Sequence, residues 1–267
     1  MEMVMTEKRK RVLVTGAEGQ IGGAMREFLP ERYDVRCMTR TPKDFESVIG
    51  DVSDLESILP AFEGIDVVVH LAGKSSIGAT WEDLLPNNFV GTYNVYEAAR
   101  RSGVGAVIYA SSNHAVGMYE VDGSPEIFEL DDTSSIDHTV ELRPDSLYGV
   151  SKIYGEGIAR YYLERFGIRS FCLRIGACRD DDDPVSERVL SQNPIHLDLK
   201  TPEERRKRMR AGWLSRRDCA QLVSRCIDAD HIDWAVVYGI SNNPRQFWDI
   251  SHARELLGYD PQDAAPV

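Results

Sequence analysis

Arg11-Val12-Leu13-Val14-Thr15-Gly16-Ala17-Glu18-Gly19-Gln20-Ile21-Gly22-Gly23 decides the fold of this chain. Its first five residues form a short, largely apolar and β-branched run that reads as a buried strand, and the run stops at glycines spaced GxxGxxG. A buried strand that enters a glycine turn and then a helix is the setting of a dinucleotide fingerprint. The glycines let backbone N–H groups approach a pyrophosphate at the positive end of the helix. Gly16, Gly19, Gln20, Ile21 and Gly22 are therefore candidate cofactor contacts. The more familiar spacing is GxGxxG, so taken alone the segment reads equally well as a tight strand-to-helix turn.

Further strands of the same kind follow. Ile65-Asp66-Val67-Val68-Val69-His70-Leu71-Ala72-Gly73 and Val107-Ile108-Tyr109-Ala110-Ser111-Ser112 are apolar runs that end in small or polar residues. They alternate with helical patterns such as Thr92-Tyr93-Asn94-Val95-Tyr96-Glu97-Ala98-Ala99-Arg100. This alternation predicts an α/β fold, a Rossmann-type doubly wound parallel sheet. Ligands in such sheets bind beyond the carboxyl ends of the strands, which places Gly73, Ser75, Ser111 and Ser112 in the crevice of the glycine turn.

Tyr148 and Lys152 lie one helical turn apart in Leu147-Tyr148-Gly149-Val150-Ser151-Lys152. A phenol titrates near ~10 and is a poor base at neutral pH, but a neighbouring cation favours the phenolate. Tyr148 is thus a candidate general base, with Ser112 as its partner. An isolated YxxxK is more often an exposed helix pair, so the motif gains its meaning from the strands around it.

Cofactor choice is read at the end of the second strand, Tyr33-Asp34-Val35-Arg36-Cys37-Met38-Thr39-Arg40-Thr41. An acidic side chain there takes the ribose 2′-hydroxyl of NAD, whereas an arginine accepts the 2′-phosphate of NADP. This chain carries Thr39-Arg40, and Asp34 stands too early, so the sequence leans to NADP while leaving NAD open.

The 267 residues, 42% of them hydrophobic, suffice for one domain with a single core. The whole of 1–267 reads as one NAD(P)-binding domain, with 177–215 and 238–267 supplying a small substrate lobe. A net charge of −12 argues against a nucleic-acid partner, since phosphate neutralisation drives that affinity. The basic runs at 8–11 and 205–208 read as a solvated strand entry and a charged helix face. No segment approaches the ~18 apolar residues of a membrane span, and the start lacks a signal-peptide core, so no membrane partner and a cytoplasmic location are expected. Five cysteines without CxxC spacing fit reduced thiols, the six histidines show no ligand spacing, and no metal is expected. Asp180-Asp181-Asp182-Asp183 reads as a solvated loop, not an ion cage. A homo-oligomer is left open.

Taken together, TGAEGQIGG at 15–23, GDV at 50–52, HLAG at 70–73, NNFVGTYNVYEAA at 87–99, ASSNHAVG at 110–117 and YGVSK at 148–152 resemble the extended short-chain dehydrogenase/reductase superfamily. Within it, RIG at 174–176, GWLS at 212–215, VYGISNN at 237–243 and LGYDPQD at 257–263 resemble uronate dehydrogenases and archaeal NAD-dependent glucose-6-phosphate dehydrogenases. The resemblance implies a catalytic set of Tyr148, Lys152, Ser112 and Asn88, the last in a proton relay. It implies that Asp51 and Val52 flank the adenine and that Lys152 also holds the nicotinamide ribose, and it adds Leu71, Ala72, Gly73, Ser111, Tyr148 and Ile175 to the cofactor contacts. Ser75, Asn113 and His114 would meet the sugar, with Arg208 as an anion-binding arginine and Lys74 as a second cation. The implied reaction is oxidation of the anomeric carbon of a uronic acid or sugar phosphate to a lactone.

The chain departs from that family between Gly176 and Trp213, where the segment is longer. The insertion caps the sugar pocket in this reading and leaves Arg206 and Arg210 as alternatives to Arg208. Two other classes are weighed: a nucleotide-sugar epimerase or dehydratase with tightly bound NAD, and a non-catalytic dinucleotide sensor. Fewer than a hundred residues follow Ile175, which is short for holding a nucleotide sugar. The presence of both Tyr148 and Lys152 disfavours the sensor.

Overall fold

The computed structural model describes residues 9–187 and 197–267. Its seven strands form one parallel sheet: β1 (Arg11–Thr15), β2 (Asp34–Thr39), β3 (Val48–Ile49), β4 (Val67–His70), β5 (Ala106–Ser112), β6 (Arg169–Ile175) and β7 (Trp234–Gly239). Their order across the sheet is β3-β2-β1-β4-β5-β6-β7, so the chain reverses its winding direction between β1 and β4. Val14 pairs with Cys37 on one side and Val69 on the other. A crevice at such a reversal is where doubly wound sheets bind ligands.

Both faces of the sheet are covered, which is why its central strands are continuously apolar. Val12, Val14 and Ile108 face a core shared with α1 (Gln20–Phe28), and Leu13, Val68 and Val107 face the other core, beneath α2 (Leu55–Phe62). After α3 (Trp81–Leu84) the helix widens into a π-type stretch at Leu85–Val90 before α4 (Gly91–Ser102). Pro86 has no N–H to donate and its ring crowds the preceding turn, which accounts for the widening. The predicted helix at 92–100 lies inside α4.

A short helix α5 (Met118–Gly123) follows β5, and the twenty-residue α6 (Leu147–Phe166) carries the YxxxK pair. Helices α7 (Pro202–Gly212) and α8 (Arg216–Asp228) precede β7, and α9 (Ser251–Leu257) follows it. Bridges from Ala177 to Trp213 and from Ile136 to Trp248 fasten the later segments onto the sheet's carboxyl end. The aspartate run is a loop among the described residues: Asp182 adopts a positive φ of 49° and its carboxylate accepts the Arg216 N–H at 3.0 Å. Part of the predicted capping insertion, 188–196, lies outside the described residues. Among the described residues no helix is long and apolar enough to cross a membrane, and no group of three or more His, Cys, Asp or Glu side chains is placed to hold a metal ion.

Candidate active site

A cavity of about 870 Å³ opens along the carboxyl ends of β1, β4, β5 and β6. Gly16, Gly19, Gln20, Ile21 and Gly22 line one end of it. Gly16 adopts φ of +67°, and a Cβ there would stand 2.7 Å from the Ala72 nitrogen, so the turn admits only glycine at this close approach. Helix α1 starts from Gly19 with no side-chain cap and no acidic residue in its first turn. Its first N–H groups and dipole are thus available to an anion, and this cradle fits the pyrophosphate of a nicotinamide dinucleotide.

Leu71, Ala72, Gly73, Asp51, Val52 and Arg40 continue the lining. Hydrogen bonds from the Ser53 N–H and hydroxyl hold the Asp51 carboxyl below its usual range, with Arg40 adding a smaller pull. Thr39 does not line the cavity. It is buried, and its hydroxyl donates to the Thr41 carbonyl and meets the Ser47 hydroxyl at 2.8 Å, so of the Thr39-Arg40 pair only the arginine faces the cofactor end. Beneath the floor, the buried His70 ring meets the Thr15 hydroxyl at 2.9 Å, and burial, helped by the Lys152 charge, pushes its pKa down to about 3.

Ser111, Ser112, Tyr148, Lys152 and Ile175 meet in the middle of the cavity. Ser146 caps α6 by accepting the Gly149 N–H, which places Tyr148 in the first turn, where the helix dipole favours negative charge. A Cβ at Gly149 would come within 2.2 Å of the His114 carbonyl, so glycine here lets the helix close on the turn that carries Ser112 and His114. Ser112 lies near enough to Tyr148 to lower the phenol's titration, while its hydroxyl donates to the Asn113 side-chain oxygen at 3.3 Å.

The titration of this pair differs from the sequence expectation. Burial pushes the Tyr148 phenol up to about 12, outweighing the pull of Ser112, and the Asp145 charge pushes it further in the same direction. Burial also brings Lys152 down to about 8. The Lys152 ammonium donates to the Ala110 carbonyl at 2.7 Å and stands 5.4 Å from the Tyr148 ring centre. Its hydrogen bond thus goes to the backbone and not to the phenol, and dehydration dominates the phenol's titration.

Asn88 is not among the cavity-lining residues. Its side chain accepts the Lys74 N–H at 2.7 Å and donates to the Lys74 carbonyl and the Ser151 hydroxyl. Ser151 donates in turn to the Tyr148 carbonyl. Asn88 therefore fastens the loop after β4 to the first turns of α6. Ser111, although lining the cavity, donates to Glu156 at 2.7 Å, and Glu156 holds Arg174 by two hydrogen bonds of 3.0 Å. This ion pair anchors β5 and β6 to α6.

At the other end, Ser75, Asn113, His114 and Arg208 line the cavity with Lys74. His114 Nδ1 lies 2.6 Å from the Asp145 carboxylate, and its ring meets the Tyr148 ring edge-on at 5.8 Å. Arg208 is not a lone anion clamp. Its Nε donates to Glu120 at 2.9 Å, with a longer contact from the terminal nitrogen at 3.4 Å, and Glu120 also lines the cavity. Of the alternatives, Arg206 pairs with Glu203 at 3.3 Å and Arg210 approaches the same residue at 3.9 Å; neither lines the cavity.

Glu120, Asp145 and Arg179 are absent from the sequence reading, and Arg205 enters it only as part of the charged helix face at 205–208. Asp145 had a local signal, since it precedes the Ser146 cap and stands three residues before Tyr148. Glu120 meets Arg208 across 88 positions, and no local pattern announces such a pairing.

A model of the NAD dependent epimerase/dehydratase family matches residues 12–178. The chain is 38% identical over 263 residues to an NAD-dependent glucose-6-phosphate dehydrogenase of Haloferax volcanii, covering 94% of this chain and 93% of the relative. An L-arabinose 1-dehydrogenase (NAD(P)(+)) of the same organism is 34% identical over 257 residues, covering 95% and 96%. Among solved structures, a point mutant of uronate dehydrogenase from Agrobacterium tumefaciens, complexed with NAD, superposes with a TM-score of 0.76 at 35% identity, covering 96% of this chain and 86% of that one.

Proposed function

The chain belongs to the NAD dependent epimerase/dehydratase family, and from that premise we propose that it is a sugar dehydrogenase that oxidises the anomeric hydroxyl of a uronic acid or sugar phosphate to a lactone. One observation carries the reading. Tyr148, Lys152 and Ser112 stand in a single cavity between a glycine cradle for a dinucleotide and a group of sugar-sized polar side chains, Ser75, Asn113 and His114.

In the proposed mechanism Ser112 and Tyr148 hold the reacting hydroxyl between them, and Tyr148 takes its proton as the carbon–hydrogen bond breaks. A bound oxidised nicotinamide would supply the hydride acceptor. Lys152, 5.4 Å from the Tyr148 ring centre, favours the phenolate against the burial that raises it. Asp145 orients His114, and Asn88 keeps the Lys74 loop and α6 in register, so the chain's contribution is alignment plus a tuned base. Arg40 suits the 2′-phosphate of NADP, and no acidic side chain ends β2, so NADP is the favoured cofactor with NAD also accepted.

The experiment offers uronates, aldoses and sugar phosphates with each cofactor and follows absorbance of the reduced nicotinamide. Turnover with at least one sugar, and lactone as the product, is the expected result. No reduction with any sugar and either cofactor would remove the proposal.

A further inference from the structure

Glu120 is 2% exposed, yet it lines the cavity, six residues beyond His114 on the helix that continues the same turn. Its carboxylate faces the Nε side of the Arg208 guanidinium, with contacts of 2.9 and 3.4 Å. The arginine that would receive an anionic sugar thus already carries a carboxylate of the protein.

A second carboxylate brought to the same guanidinium would stand roughly 5–6 Å from the first, in a cavity that Lys74, Arg179 and Arg205 also line. At an effective dielectric of roughly 20–40, that repulsion lowers affinity on the order of 10- to 100-fold relative to the same site without the Glu120 charge. A hydroxyl pays no such penalty. It accepts a hydrogen bond from the guanidinium and donates one to the carboxylate, so the pair is matched to an uncharged, hydroxyl-bearing carbon.

We propose that the Glu120–Arg208 pair is a specificity element that reads sugar hydroxyls and turns away a carboxylate, so that neutral aldoses are oxidised in preference to the corresponding uronates. This rests on the sugar-dehydrogenase reading, keeps its anomeric oxidation and replaces the uronic acid as the preferred substrate by the neutral aldose. Glu120 is not assigned a part in the proton transfer.

Glucose with glucuronate and galactose with galacturonate are matched pairs that differ only in a CH2OH or a carboxylate at one carbon. Steady-state kinetics of the parent enzyme should give kcat/KM at least ~10-fold higher for the aldose of each pair. Glu120→Gln keeps the shape and removes the charge, and it should shift the ratio toward the uronate by about 10-fold or more, mainly through the uronate's KM. Thermal unfolding and cofactor titration check that the variant is folded. If it does not fold, competition between aldose and uronate for the parent's site decides, with the uronate expected to bind at least ~10-fold more weakly. A parent enzyme that prefers the uronate, or a folded Glu120→Gln variant with an unchanged ratio, overturns the proposal. Failure to oxidise any of the four sugars or a sugar phosphate is a different outcome, because it removes the dehydrogenase reading itself.

Discussion

The two ends of the cavity are built by different means. The cofactor end is made of backbone: a glycine turn, the uncapped first N–H groups of α1, and the small residues that follow β4. The opposite end is made of long charged and polar side chains from α5, the loop after β6 and α7, held by ion pairs that cross the fold, as Glu120 and Arg208 do. Backbone recognition tolerates little change of shape and depends weakly on charge. Recognition by paired side chains can be retuned by a single substitution without disturbing the sheet. The fold therefore keeps its cofactor chemistry in the rigid half and leaves substrate choice to the adjustable half.

Tyr148 stands where the two ends meet, and its replacement gives the largest expected effect. Tyr148→Phe should lower turnover by at least ~100-fold while cofactor affinity changes little, as expected for loss of a proton acceptor. Near-normal turnover would break the division, because proton transfer would then belong to neither end as drawn here. Arg208→Ala tests the side-chain end. Taking the guanidinium away from a carboxylate that is 3% exposed should cost about 2–3 kcal/mol of stability, discounted because the arginine itself is partly exposed. Urea unfolding measures that loss, and titration with the dinucleotide should give an unchanged Kd. A weakened cofactor with undiminished stability would show that the ends are not separable.

His70 probes the rigid half through pH. Its folded pKa is about 3, lowered by burial, against an unfolded value near 6.5. Between those values the unfolded chain holds one more proton, so this contribution to stability is complete above about pH 6.5 and declines as the pH falls toward 3. By about pH 5 the loss attributable to His70 should reach about 2 kcal/mol. Comparing urea midpoints for the parent and His70→Gln at about pH 7 and pH 5 isolates it. The same acid loss in both proteins would show that His70 is not the buried base under the floor.

The same contrast explains what could be read in the sequence. Strands β1, β4 and β5, the glycine turn and the Tyr148–Lys152 pair are each written in a few adjacent residues, because burial on both sheet faces demands apolar runs and a close turn demands glycine. The tuning of Tyr148 was not legible. It depends on how far the fold dehydrates the phenol, whereas spacing alone suggests that the lysine wins. Asn88 was found through resemblance, but its bonds to Lys74 and Ser151 come from a π-type widening of the helix that only Pro86 hints at. Glu120 lay furthest from view, since its meaning resides in a partner 88 residues away.

Arg40 is the charged side chain that the sequence assigned to the 2′-position of the cofactor, and its replacement is expected to have the smallest effect. It is exposed and lines the cavity beside Asp51, whose titration it lowers slightly. A 2′-phosphate brings about two negative charges to this place, whereas the 2′-hydroxyl of NAD brings none. Arg40→Ala removes a cation that faces the phosphate and also the charge that offsets Asp51, so NADP loses on both counts. An exposed arginine is screened by salt, which limits the expected change to about 5- to 10-fold in the Kd for NADP, with NAD nearly unaffected. The loss should shrink as ionic strength rises, because the interaction is Coulombic and open to solvent. Binding titrations of both cofactors at low and high salt measure both features together. Equal losses for NAD and NADP, or a loss insensitive to salt, would show that Arg40 shapes the end of β2 instead of reading the 2′-position, and the cofactor end would then be a backbone site throughout.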